Sequence, residues 1–323
     1  MNANLFFQDL MDSISPLSDH EASRLEVALA PYNQDLSELS AVLYERLSKE
    51  DRSRFLLWFA KRWAAIQRVP EEELREYQEQ VDRINSFTYE YRESGGSTYR
   101  ILNLAPQGYQ GELMTYPWMS GVHDFLFDQY QTKQFRVQPG DIIIDAGAFV
   151  GDTALLFSQV TKGDCEIHAF EVLEENLKLL RHNLDTNGLA GRVRVCPLAL
   201  SDSTGDSVYI KTHSYQGATS IFGGEQDTKI ETITLDDYIA NAGINRIDLI
   251  KMDIEGAERM ALSGALNTIR RDRPRLAICI YHLWDDPLVI PKLIESTGVP
   301  YIYQFKWVEL SNGWEAVLLC TPS

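Results

Sequence analysis

Ile142-Ile143-Ile144-Asp145-Ala146-Gly147-Ala148-Phe149-Val150-Gly151-Asp152-Thr153 is a short apolar run closed by an acid and two spaced glycines. The helical spacing of Ala154-Leu155-Leu156-Phe157 follows at once, so the stretch predicts a strand, a tight turn and a helix. Glycines at 147 and 151 let a backbone turn sharply and approach a ligand where a Cβ would collide. The alternation then repeats. Glu166 to Phe170 ends at Glu171 and leads into a helix through Asn183; Val193 to Leu198 ends near Ser201-Asp202; Ile247 to Met252 ends at Asp253. A helix to about Ile269, a strand from Leu276 to Tyr281, a helix near Leu288 to Ile294 and two closing strands, Tyr301 to Phe305 and Ala316 to Leu319, complete the pattern. Strands alternating with helices predict an α/β fold with a mostly parallel sheet covered on both faces. Residues 204–234, with Tyr209, Tyr215 and Phe222, read as an insertion after the third strand, placed to help cover a bound acceptor.

Upstream the period is different. Leu36, Leu39, Val42, Leu43 and Leu47, and then Phe55, Leu56, Phe59, Trp63 and Ile66, follow helical spacing, and Pro70 before three glutamates marks a break and a new helix start. Glycines and prolines predict a connector or short irregular strand pair over 94–117, and 121–135 has helix-like spacing again. The expected division is a helical region and connector over 1–117 and an α/β domain over 118–323.

The chain has 323 residues, 44% of them hydrophobic, and 30 basic against 47 acidic side chains give a net charge of −17. That composition supports a sizeable core, and so acidic a surface disfavours nucleic-acid binding. The small cluster Arg270-Arg271-Asp272-Arg273-Pro274-Arg275 reads as a helix C-terminus with its stop. Four widely spaced cysteines form no C-x-x-C pair, and no apolar segment reaches the ~18–20 residues of a membrane span. The expectation is a soluble cytoplasmic protein with no membrane association and no structural metal. Cys196 reads as a core residue.

In open α/β sheets ligands bind beyond the carboxyl ends of the strands. The dinucleotide pattern G-x-G-x-x-G is absent, since its later glycines would fall on Phe149 and Asp152. Asp145 and Asp152 would repel a pyrophosphate but suit a cationic sulfonium or ammonium, and Glu171 is placed to accept hydrogen bonds from ribose hydroxyls. S-adenosyl-L-methionine fits this description; a nicotinamide dinucleotide fits it poorly.

These residues carry a family resemblance. The loop Asp145 to Thr153, the strand end Ala169-Phe170-Glu171, Ala199-Leu200-Ser201-Asp202 and above all Lys251-Met252-Asp253-Ile254-Glu255-Gly256-Ala257-Glu258 resemble FkbM-type S-adenosylmethionine-dependent methyltransferases. The resemblance runs from about Asp124 to Cys320. It implies a Rossmann-like, seven-stranded class I methyltransferase sheet with the last strand antiparallel, and O-methyl transfer to a hydroxyl of a sugar or small natural product. It further implies that Asp145, Gly147, Ala148, Gly151, Asp152 and Thr153 shape the methionine side of the cofactor pocket, that Glu171 holds the ribose and that Ser201 and Asp202 lie near the adenine.

Methyl transfer needs the acceptor oxygen aligned and relieved of its proton. Asp253, at the end of the fourth strand, is a candidate for orienting or deprotonating it, and His282 is the second candidate. The competing reading of Asp253 is a helix N-cap. Glu255 and Glu258 lie three apart and could share a helix face; neither they nor Asp285-Asp286 offer a clear metal-ligand set. Two further functions stay open: a non-catalytic methyltransferase-like binding module docking through its N-terminal helices, and an N-methyltransferase, against which the missing Asn/Asp-Pro-Pro-aromatic loop argues. The expected partner is a small hydroxylated acceptor. The N-terminal helices are open to three roles: a lid, a homo-oligomer interface or an acceptor-recognition surface.

Overall fold

A computed structural model describes residues 4–32, 35–212, 219–220 and 228–323; the expected cover residues Tyr215 and Phe222 lie outside them. Five helices come first: α1 Leu5–Ile14, α2 Asp19–Leu29, α3 Leu36–Val42, α4 Lys49–Ala64 and α5 Glu71–Asn85. Local chemistry sets their ends. Ser18 and Glu21 form a reciprocal capping box at α2, Ser48 Oγ accepts the Asp51 amide at α4, and Pro70 opens α5. Where a connector or a short irregular strand pair was expected, β1 Glu90–Ser94, β2 Ser97–Asn103 and β3 Glu112–Thr115 form a three-stranded antiparallel sheet. The helix-like spacing over 121–135 yields only one π-helical turn, Val122–Leu126, whose apolar residues face the core from irregular backbone.

The α/β part follows the predicted alternation: β4 Asp141–Ala146, α6 Asp152–Val160, β5 Cys165–Phe170, α7 Glu174–Thr186 and β6 Val193–Cys196. The third strand is shorter than expected because the chain leaves the main sheet. A small side sheet follows, built from β7 Ala199–Leu200, β8 Ser207–Thr212, β9 Thr219–Ser220 and β10 Thr228–Ile233, with β7 pairing β10 in parallel. Then come α8 Leu235–Ala242, β11 Leu249–Met252, α9 Glu258–Ser263, α10 Leu266–Asp272, β12 Arg275–Cys279, α11 Asp286–Ser296, β13 Tyr301–Trp307 and β14 Ala316–Pro322.

The main sheet has seven strands in the order β13-β14-β12-β11-β4-β5-β6, and only β14 runs antiparallel to its neighbours. From β4 the chain winds outward through β5 and β6, then returns to the other side at β11. The crevice beyond β4 and β11 is therefore the switch point, where such sheets bind ligands.

The N-terminal helices are packed into this body. Phe55 and Trp58 of α4 meet Phe305 of β13 with ring centroids 5.2 and 5.3 Å apart, so the apolar stripe of α4 is covered within the chain. Among the described residues no helix is long and apolar enough to cross a membrane. The arginine cluster ends α10 as its sequence suggested: Arg273 takes the left-handed C-cap and Arg275 reaches Asp141 at 2.6 Å.

Candidate active site

The carboxyl ends of β4, β5, β11 and β12 open into one cavity of about 350 Å³. Its floor is a buried ion pair. Lys251 and Asp145 are register partners on β11 and β4, and Lys251 Nζ lies 3.1 Å from Asp145 Oδ1. Thr153 Oγ1 donates to Asp145 at 2.6 Å, and Lys251 Nζ donates to the Gly147 carbonyl at 2.6 Å. Burial disfavours the ammonium, but Asp145, Asp253 and Asp152 outweigh it and hold the Lys251 pKa above its ordinary value. Gly147 has φ +80°, and a Cβ there would stand 1.8 Å from the Asp253 carbonyl oxygen. The glycine turn after β4 is thus pressed against the end of β11.

Of the loop residues assigned from the sequence, Gly147, Asp152 and Thr153 line the cavity, whereas Asp145, Ala148 and Gly151 lie beneath or behind its wall. Asp152 is pushed up to about 6 by burial and by Asp145, against the pull of Lys251. Glu171 also lines the cavity. It accepts the amides of Val172 at 2.6 Å and Leu173 at 2.8 Å and the side chain of Asn176 at 3.3 Å, so it holds the start of α7 while facing the open space. Ser201 and Asp202 do not line it. There the wall is Leu198, Ala199 and Leu200, because the chain leaving β7 ties the Ser201 amide to the Ile233 carbonyl and leaves Asp202 exposed. Trp118, half-exposed in the cavity wall, stacks on Tyr116 and meets Phe149 at a tilt of 31°.

The other end gathers Asp253, Glu255, Tyr281, Glu315, Gln129 and Tyr130. Asp253 is not the N-cap of α9, a position held by Ala257. Its carboxylate instead accepts the Tyr130 hydroxyl at 2.6 Å and the Tyr281 hydroxyl at 3.1 Å. Burial would raise its pKa, but His282, Lys251 and the two hydroxyls hold it below the usual carboxylate value. Glu315 accepts Gln129 Nε2 at 2.6 Å and the Tyr281 hydroxyl at 3.3 Å, both on Oε2, and burial with Asp253 nearby pushes it up to about 7. Burial pushes Glu255 to about 8.

His282 stands behind this group rather than in the cavity wall. Its Nδ1 is 3.0 Å from Glu258, and its Nε2 is 3.5 Å from both Asp253 and Glu255. Burial opposes its charge, yet Glu258, Asp253 and Glu255 together hold its pKa up to about 10. It is a proton-loaded counter-ion for the carboxylates, not the near-neutral base that a free imidazole would be. Glu258 does not share a face with Glu255: it is buried and accepts the amides of Ile254 at 2.7 Å and Gly256 at 3.0 Å, fixing the loop that presents Asp253 and Glu255. Among the described residues, Asp253, Glu258 and His282 are the grouping whose donor atoms, within 4.8 Å of one another, could hold a metal. Asp285 and Asp286 are instead bound by Arg259.

The N-terminal helices reach this end of the site. Arg62 donates through Nε and Nη2 to the Tyr281 carbonyl at 3.1 and 2.8 Å, with its guanidinium between the rings of Trp63 and Trp314. Trp58 Nε1 donates to the Gly313 carbonyl at 2.9 Å, and the Tyr32 hydroxyl to the Trp284 carbonyl. These contacts hold the two loops that deliver Tyr281, His282 and Glu315.

Sheet order, switch-point cavity and acid-bearing strand ends define a class I methyltransferase architecture. Residues 145–304, just under half of the chain, match the family model of the methyltransferase FkbM domain. It is 28% identical to the 31-O-demethyl-FK506 methyltransferase FkbM of Streptomyces tacrolimicus, over 48% of this chain and 70% of that protein. It is 27% identical to the 2-O-methyltransferase NoeI of Sinorhizobium fredii, over 42% and 62%, and 27% identical to the hexuronic acid methyltransferase AglP of Haloferax volcanii, over 50% and 64%. The solved structure of a methyltransferase FkbM from Methylobacillus flagellatus KT superposes with TM-score 0.55 at 18% identity, covering 94% of this chain and 63% of that one, a likeness of fold. The chain therefore spans less than two thirds of several of these proteins.

Proposed function

We propose that the cavity binds S-adenosyl-L-methionine and that the protein transfers its methyl group to a hydroxyl of a sugar or small natural product. The observation that carries this is the placing of two different acid sets at the two ends of one cavity. The residues present suit the cofactor: Glu171 is oriented by three donors while facing the open space, and Asp152 adds negative charge beside the glycine turn. Glu171 would accept the ribose hydroxyls, the turn at Gly147 with Asp152 and Thr153 would hold the methionine part, and Leu198 to Leu200 would flank the base. When bound, the cofactor supplies an electrophilic methyl carbon on a sulfonium.

The remaining chemistry belongs to the acceptor end. Asp253, kept anionic by Lys251 and His282 and fixed by two tyrosine hydroxyls, orients the acceptor hydroxyl. Glu315, buried and titrating near neutrality, takes the proton as the oxygen becomes nucleophilic. His282 keeps Asp253 and Glu255 in place from behind. Residues 118–323 form the methyltransferase unit and residues 1–117 buttress it. The four cysteines are unpaired, which supports a cytoplasmic, reducing setting.

The test is incubation with methyl-labelled cofactor and a panel of hydroxylated sugars and metabolites, with products read by mass spectrometry before and after alkaline treatment. Gain of one base-stable methyl group is expected. Methyl transfer only to nitrogen, or none to any hydroxyl while the cofactor binds, would overturn the reading.

A further inference from the structure

Six carboxyl groups line the cavity: Asp124, Asp152, Glu171, Asp253, Glu255 and Glu315. Among the described residues lining it, the one lysine or arginine is Lys251, which is engaged with Asp145 and the Gly147 carbonyl. Arg62, reaching the acceptor end from α4, is committed to the Tyr281 carbonyl and to two indole rings. His282 is shared among Glu258, Asp253 and Glu255. The cation of a bound sulfonium would offset one carboxylate of this set; Asp253 is held ionised, whereas burial raises Asp152, Glu255 and Glu315 towards their protonated forms.

The consequence falls on the acceptor. A carboxylate or phosphate entering this end would lose its water, meet the Asp253 carboxylate and find no uncommitted cation among the described lining residues, since burial lowers His123 to about 4 and leaves it neutral; an uncompensated buried charge is among the most costly features a protein can hold. Hydroxyl groups and amines are donors, and the walls are rich in acceptors for them. The ease with which Glu255 and Glu315 carry protons, raised by burial to about 8 and about 7, keeps this end tolerable without a cation and lets it ionise when one arrives.

Resting on the methyl-transfer reading of the same cavity, we infer that the acceptor is a neutral or amine-bearing polyhydroxylated molecule, and that molecules with a carboxylate or phosphate beside the reacting hydroxyl are rejected. Specificity of this kind comes from a repulsive element as much as from attraction.

Four probes sharing a pyranoside frame separate the cases: methyl glucoside, methyl glucosaminide, methyl glucuronide and methyl glucoside 6-phosphate. Transfer of labelled methyl is one readout. Saturation-transfer NMR on protein loaded with the demethylated cofactor is the second, and it needs no turnover. The first two probes are expected to exceed the last two by about tenfold or more in either readout, and Glu255→Lys is expected to narrow the gap. An anionic probe that matches or exceeds methyl glucoside, or a gap unmoved in a folded Glu255→Lys variant, would overturn the inference. Calorimetry with S-adenosyl-L-methionine keeps the two claims apart. Failure to bind it sinks the methyl-transfer reading, whereas binding together with preference for anionic probes sinks the charge inference alone.

Discussion

Lys251 and Asp145 face each other across two adjacent parallel strands, 3.1 Å apart and with neither side chain more than 2% exposed. The pair joins the two sequence motifs into one floor: Asp145 opens the glycine turn after β4, and Lys251 leads into the Asp253 loop after β11. Since Lys251 also grips the Gly147 carbonyl, the pair sets where the turn sits against Asp253.

Lys251→Met is therefore expected to destabilise the fold by about 3–5 kcal/mol, because it strands a buried carboxylate. Urea denaturation measures the loss. Adding Asp145→Asn should recover part of it, and a double variant no better than the single would show that the pair is not the cause.

Gly147→Ala places a methyl group on top of the Asp253 carbonyl at a backbone angle that alanine resists. The strained conformation alone costs about 1–3 kcal/mol, and the overlap also moves the turn. Cofactor binding is expected to fall sharply even where thermal melting shows a folded protein.

Arg62 is a positioning residue. Arg62→Met removes both donors to the Tyr281 carbonyl, and Tyr281 is the residue that bridges Asp253 and Glu315. Methyl-transfer kcat should drop by about tenfold or more from misplacement at the acceptor end, while cofactor affinity stays near that of the parent protein. Arg62→Lys, which keeps a donor, should restore part of the rate. Equal loss of cofactor binding would mark a merely structural role.

The carboxyl cluster makes a pH prediction. Glu255 is raised to about 8 and His282 to about 10, so between their ordinary values and these the folded state binds more protons than the unfolded one. Stability then falls as pH rises, over about 4.5–8 for Glu255 and 6.5–10 for His282. Denaturation at pH 6, 7, 8 and 9 should show a steady decline in the parent protein and a shallower one in Glu255→Gln.

The fold was legible because its strands are buried on both faces. Ile142 to Ile144 reads as a continuous apolar run and Leu249 to Met252 as one interrupted only by Lys251, each with an acid at the end, and the helices between them keep helical spacing. The antiparallel run of β14 came from the family resemblance rather than from periodicity. Phe125, Leu126 and Tyr130 have helix-like spacing, Leu126 and Tyr130 being four apart, but the chain around them is a π-turn and loop, since buried irregular backbone shows the same apolar content. Glu171 and Asp253 were visible as strand ends. Gln129, Tyr130 and Glu315 were not, because the site assembles them from positions up to 186 residues apart, as in the Gln129–Glu315 bond, with no local spacing to announce them. Ser201 and Asp202 were misplaced by the early departure of the chain into β7. The burial of Lys251 could have been suspected, as it is the one charged residue within Leu249–Met252.

The central claim is that a nucleoside sulfonium sits between the β4 turn and Glu171. Isothermal titration of the whole protein and of its Glu171→Ala variant with S-adenosyl-L-methionine tests it most directly. The account predicts saturable binding at one site in the parent and an affinity at least about tenfold weaker in the variant, since hydrogen bonds to a charged group contribute more than neutral ones. No heat from the parent protein at saturating cofactor, or equal affinity in the two, would contradict it.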